Sequence, residues 1–114
     1  MDKYIVDLNP SDTDEEDFEL ENENVGEVRV YKNGKNISSD CRVLVQLSKD
    51  GLIGLGTELI RLGHSFKNGR HSHIYPVDPD LVSQSMGIFL TANSCELILV
   101  CHDFGSIDKH IEKK

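Results

Sequence analysis

The sequence predicts an α+β fold: a mostly antiparallel sheet of about five strands, covered on one face by a single main helix, in the order β-β-α-β-β-β. Three observations predict it. Several short segments alternate apolar and polar residues with the period of two that a half-buried strand requires. One segment, residues 48–63, instead repeats its apolar residues every three and four positions, the spacing of a helix stripe. Turn dipeptides, Asn33-Gly34 and Asn68-Gly69, punctuate the segments.

The first firm element is EVRVYKNGK, where Val28 and Val30 alternate with Arg29 and Tyr31 before the Asn33-Gly34 pair, a strong hairpin signal. NISSD follows as the return or a loop. CRVLVQL, residues 41–47, is rich in β-branched residues and sets Cys41, Val43, Val45 and Leu47 on one face, which predicts a strand with a core side. The helix is predicted next. Ser48 suits the N-cap, Asp50 complements the positive end, and Gly63 stands where a glycine cap ends a helix. Leu52, Leu55, Gly56, Leu59 and Leu62 form its stripe, with Gly56 placed to let the backbone approach a sheet. Gly51, Gly54 and Gly56 each lower helix propensity by about 1 kcal/mol relative to alanine, so this helix depends on packing.

HIYPV, residues 73–77, reads as a short strand that Pro76 confines to an edge or an end. VDPDLVSQS reads as a loop with one helical turn after Pro79. Residues 85–91 and 95–101 read as two strands joined across Ala92, Asn93 and Ser94. CELILVC is apolar on both faces, which predicts a central strand. Leu55, Leu59, Val43, Val45, Leu97 and Leu99 are the expected core. Tyr4, Ile5, Val6 and Leu8 have the composition of a short edge strand, and Phe18 and Leu20 alternate with acids in strand fashion. The expected organisation is an acidic segment over residues 1–25, partly ordered or arm-like, a single α+β domain over 26–108, and a polar tail over 109–114.

Charge is distributed unevenly. Residues 1–27 hold eleven acids against Lys3, a balance of −10, whereas residues 28–114 hold nine acids and eleven bases, +2. A chain that needed charge only for solubility would spread it. Such a segment repels nucleic-acid phosphates, and Lys67, Arg70 and His71 make only a thin basic patch, so direct nucleic-acid binding is not expected. No apolar run of about 18 residues exists to span a membrane, and the acidic start lacks the form of a signal peptide, so a cytoplasmic protein is expected. Cys41, Cys95 and Cys101, odd in number and each within an apolar segment, are expected to be buried reduced thiols.

Catalytic and metal chemistry find little to work with. His71 and His73 would share a strand face, but H-x-H alone is a weak metal signal. Cys101, His102 and Asp103 are consecutive, and neighbours on a strand point to opposite faces, so they cannot form a nucleophile, base and orienter chain. The glycines of DGLIGLG match no phosphate-binding loop. The chain is expected to be a binding protein rather than an enzyme, with no cofactor and no metal. The candidate partner-binding residues are Asp14, Glu15, Glu16, Asp17, Glu19, Glu21 and Glu23, because dense carboxylates complement a basic surface and speed the encounter with it.

SKDGLIGLGTELIRLGH, the later His73-Ile74-Tyr75, the segments GIFLT and CELILVC, and HDFG carry a family resemblance over residues from about 26 to 108. They resemble the small immunity proteins encoded beside contact-dependent growth inhibition and other polymorphic toxins of bacteria. The resemblance implies tight binding to one cognate toxin, often a nuclease that is basic because its substrate is anionic. The alternative is an acidic nucleic-acid mimic that inhibits another DNA- or RNA-binding protein.

Overall fold

The structure is a computed structural model that describes residues 2–6 and 23–111. It is α+β, with one main helix and two small antiparallel sheets of two strands each. The chain divides into two units, Met1–Glu27 with Phe104–Lys114, and Val28–Asp103.

In the larger unit, β1 (Tyr31–Lys32) and β2 (Lys35–Asn36) flank the expected turn. Asn33 (φ +52°) and Gly34 (φ +77°) both take the left-handed conformation that a type I′ hairpin demands. The pairing runs on past the strands, with Ile37 N–H donating to Val30 C=O at 2.8 Å and Val30 N–H to Ser38 Oγ at 2.8 Å. A 3-10 helix, Ser38–Asp40, follows.

Residues 41–47 then form no strand and pair with no other segment among the described residues. Val43, Leu44 and Val45 are all exposed. An alternating pattern specifies which face a strand would bury, but only a neighbouring strand creates the hydrogen bonds.

Helix α1 (Lys49–His64) starts where the sequence predicts: Ser48 Oγ accepts from Gly51 N–H at 3.0 Å. Asp50 in the first turn and Arg61 and His64 in the last complement the helix dipole. The C-terminal end differs from expectation. Gly63 lies inside the last turn and Ser65 is the cap, its N–H reaching Arg61 C=O at 3.0 Å and its Oγ the same carbonyl at 3.0 Å.

The close packing of α1 also differs. Gly56 and Gly63 have open space where a side chain would stand. Gly54 is the glycine in contact: a Cβ there would overlap the carbonyl oxygen of Gly87, and one on Gly87 would overlap the backbone of Gly54. The helix thus meets a turn backbone to backbone. Ile88 lies beside it, its Cδ1 3.7 Å from a Cβ placed on Gly51.

That turn is a second type I′ hairpin turn, Ser85-Met86-Gly87-Ile88, with Met86 at φ +54° and Gly87 at φ +75°. Ser85 and Ile88 exchange backbone hydrogen bonds of 3.4 and 3.2 Å. Residues 85–91, expected as one strand, carry isolated bridges instead, Ser85 to Ile88 and Leu90 to Pro76. Residues 78–81 close as a tight turn rather than a helical one, with Asp80 N–H donating to Asp78 Oδ1 at 2.8 Å.

β3 (His71–Ile74) and β4 (Leu97–Val100) pair antiparallel, His71 opposite Val100 and Ile74 opposite Leu97. Gly69 (φ +92°) starts the hairpin with a bulge: Gly69 N–H donates to Cys101 C=O and Cys101 N–H to Arg70 C=O, both at 2.7 Å. β4 is not central. Among the described residues it has one neighbour, and its second face exposes Ile98 and Val100. The observed strand order is β-β-α-β-β, without a five-stranded sheet among the described residues.

The core is correspondingly small. Ile74, Ile88 and Cys101 are the buried side chains among the described residues. Of the six residues expected there, Leu55, Leu97 and Leu99 are half-buried, while Leu59, Val43 and Val45 are exposed. Strand alternation does hold along β4: Leu97, Leu99 and Cys101 face inward with Ile74, and Ile98 and Val100 outward.

In the smaller unit, a 3-10 helix, Ile107–His110, follows Gly105 (φ +72°). His110 Nε2 lies 2.8 Å from Phe104 C=O, and the two rings meet edge to face at 5.6 Å. Tyr4, Ile5 and Val6 are exposed and form no strand. Leu8, Phe18 and Leu20 lie outside the described residues.

Candidate partner-binding surface

Six of the seven candidate carboxylates, Asp14, Glu15, Glu16, Asp17, Glu19 and Glu21, lie outside the described residues. Glu23 is described and is exposed.

On the larger unit, one exposed surface is the outward face of the β3–β4 pair. Residues opposite one another in an antiparallel pair share a face, which groups His71 with Val100 and His73 with Ile98. The pairing therefore puts both imidazoles of the H-x-H motif on one side, as the sequence predicts, with ring centroids 5.1 Å apart in an edge contact. Tyr75 extends the row, its ring stacked on His73 at 5.7 Å and 8° between planes. His73 Nδ1 stands 3.1 Å from Glu96 Oε1 across the strands. Both side chains keep over a third of their surface in water, so the pair orients the ring more than it stabilises the fold.

The result is a strip of aromatic and aliphatic surface with one carboxylate at its border. Tyr75 is 59% exposed, Val100 57% and Ile98 46%, within the range of the other exposed large apolar side chains. Aromatic residues ringed by polar ones are where binding energy concentrates in protein interfaces. In the sequence the two histidines stand out only as a weak metal pair, and CELILVC is expected to be buried on both faces, whereas among the described residues it has one strand to pair with.

The loop before β3 is held by named bonds. Asn68 Oδ1 accepts from Asp103 N–H at 3.0 Å, and Arg70 Nη1 donates to Ser65 C=O and Oγ at 3.1 and 3.2 Å. Arg70, the best of the expected basic patch, is thus committed to capping the helix exit.

A cleft of about 440 Å³ opens at the start of α1, lined by Ser48, Asp50, Gly51, Gln84, Phe89 and Thr91 among others. Asp50 is the acid among its described lining residues, which include the hydroxyls of Ser48, Thr91 and Ser94 but no histidine, cysteine or lysine to activate them. Cys101 is buried while His102 and Asp103 are exposed, so the three consecutive residues face different surroundings. Cys41 is half-buried and Cys95 exposed, which corrects the expectation of three buried thiols. All three are free. No group of three or more histidine, cysteine, aspartate or glutamate side chains suited to a metal ion occurs among the described residues. No helix among them is long and apolar enough to cross a membrane.

Comparison of the chain with protein-family models, with curated proteins and with solved structures finds no match to any of them.

Proposed function

We propose that this chain is an immunity protein: it binds a cognate bacterial toxin, a nuclease with a basic surface, in the cytoplasm and neutralises it without chemistry of its own. The observation that carries the reading is the segregation of charge, −10 in residues 1–27 against +2 in the remainder. A nuclease must present lysine and arginine to its phosphate substrate, and a dense run of carboxylates is the complement of that surface. Complementary fields raise the association rate and suppress wrong partners, which suits an inhibitor that must reach its toxin before the toxin reaches nucleic acid. The apolar strip of Tyr75, Ile98 and Val100 gives such an inhibitor a desolvating contact to complement the charged one.

The test is a binding titration against a basic nuclease toxin, at low and high salt. A variant with Asp14, Glu15, Glu16, Asp17, Glu19, Glu21 and Glu23 changed to Asn or Gln is compared with the wild type. The variant associates more slowly, and the difference shrinks as salt shortens the Debye length from about 10 Å at 0.1 M. Unchanged affinity together with unchanged salt dependence would remove the acidic segment from the interface. Equally tight binding to unrelated DNA-binding proteins would instead favour the nucleic-acid mimic.

A further inference from the structure

The open edge of β4 carries an inference that does not depend on the toxin reading. Cys101 N–H bonds to Arg70 C=O, and backbone polar groups alternate sides along an antiparallel strand. The N–H and C=O groups of Leu97 and Leu99 therefore face β3, and those of Glu96, Ile98 and Val100 face away from it. The far edge of β3 is partly covered: Ser85 Oγ donates to His73 C=O at 3.1 Å, and just beyond the strand Val77 N–H donates to Leu90 C=O at 2.9 Å. The far edge of β4 has no strand beside it among the described residues.

This edge lacks the devices that keep open strands apart. It has no proline, no lysine and no inward charge, and Ile98 and Val100 beside it are exposed. A two-stranded hairpin is also marginal by itself, and a third or fourth strand is what makes such a sheet stable.

We propose that β4 pairs antiparallel with β4 of a second copy of this chain, across a two-fold axis at Ile98, forming a four-stranded sheet. The sequence fits its own reverse. Ile98 meets the partner's Ile98, Leu97 meets the partner's Leu99, and Glu96 meets the partner's Val100. Glu96, Ile98 and Val100 then exchange about six backbone hydrogen bonds with the partner, the full set that this edge offers. The strand's single charge does not oppose the pairing. The two Glu96 residues stand four positions apart along the strands, about 13 Å, beyond the screening length at physiological salt. The pairing also joins the two outward faces, so that Ile98 and Val100 of both copies form one strip. The two-fold pairing uses up the open edge of both copies, and Ser85 covers His73 C=O on the far edge of β3, so assembly stops at two copies instead of continuing as a fibre.

The test uses the full chain. Sedimentation equilibrium over a concentration series gives a mass rising from 12.8 kDa to twice that value and no further. Each copy has a net charge of −8, so dimerisation strengthens with added salt, opposite in sign to toxin binding. Amide hydrogen exchange of the wild type locates the contact without mutation: Glu96, Ile98 and Val100 slow with rising protein concentration. Ile98→Lys, at an exposed position, raises the dimer dissociation constant at least tenfold with an unchanged far-UV spectrum. A mass of 12.8 kDa at every concentration would overturn the proposal. So would a dimer whose edge amides exchange at a concentration-independent rate, or an open-ended series of larger assemblies.

Discussion

Replacing Gly54 with alanine tests the contact that seats the helix. Alanine raises intrinsic helix propensity by about 1 kcal/mol, so on propensity alone the variant gains stability. The structure predicts the reverse. The new methyl would overlap the Gly87 carbonyl oxygen, with the carbonyl carbon at 3.1 Å and Cα at 3.4 Å behind it. These are backbone atoms, so no rotamer change relieves the clash and α1 must move off the turn. Overpacking of this kind costs about 1–3 kcal/mol. Lifting the helix from the turn also uncovers Ile88, 7% exposed, whose burial contributes about 1.5–3 kcal/mol. Part of that burial survives, so the net loss after the propensity gain is about 2 kcal/mol. Gly56→Ala is the internal control: it meets open space and should gain up to about 1 kcal/mol. Chemical denaturation of both variants, with the slope held equal, reads the two signs directly. A Gly54→Ala protein as stable as wild type would refute the backbone contact. A destabilised Gly56→Ala would show that the other face of the helix is the packed one.

Ile74→Ala, at 1% exposure, should cost about 2–5 kcal/mol, whereas Leu59→Ala, at 43% exposure, should cost under about 1 kcal/mol, both read by denaturant midpoint. Gly34→Ala should cost about 1–2 kcal/mol in the same assay, purely from the backbone, because φ is +77° and nothing crowds the position. Thiol titration of dilute native protein should modify Cys95 first, Cys41 more slowly and Cys101 only on unfolding. Denatured protein should give three thiols per chain, and a count of one would reveal a bridge.

Local signals were the legible ones. Asn33-Gly34 announced its turn because two adjacent left-handed residues need that chemistry, and Ser48 announced the helix start because its hydroxyl reaches a free N–H. The Ser85–Ile88 turn has the same geometry but places Met86 at φ +54°, where a methionine gives no sign of a turn. Pairing was not legible either. CRVLVQL and CELILVC look alike as strands, yet among the described residues only the second finds a neighbour, and pairing depends on the rest of the chain. The helix stripe pointed to Gly56, while the glycine in contact is Gly54, two positions and roughly 200° round the helix. For the candidate site, the two histidines of β3 were legible from their spacing. The exposure of Ile98 and Val100 beside them was not.

Among the described residues Ile74, Ile88 and Cys101 are the buried side chains, and so small a core has a consequence for how the chain survives in a cell. With little of its stability sealed inside, the folded state borrows from whatever covers its surface. A partner present at a hundred times its dissociation constant adds about 2.7 kcal/mol, comparable to one core side chain. Loss of the partner returns the chain to its lower stability and raises the fraction open to proteases. On the proposed function, the amount of this protein would follow the amount of the toxin it binds.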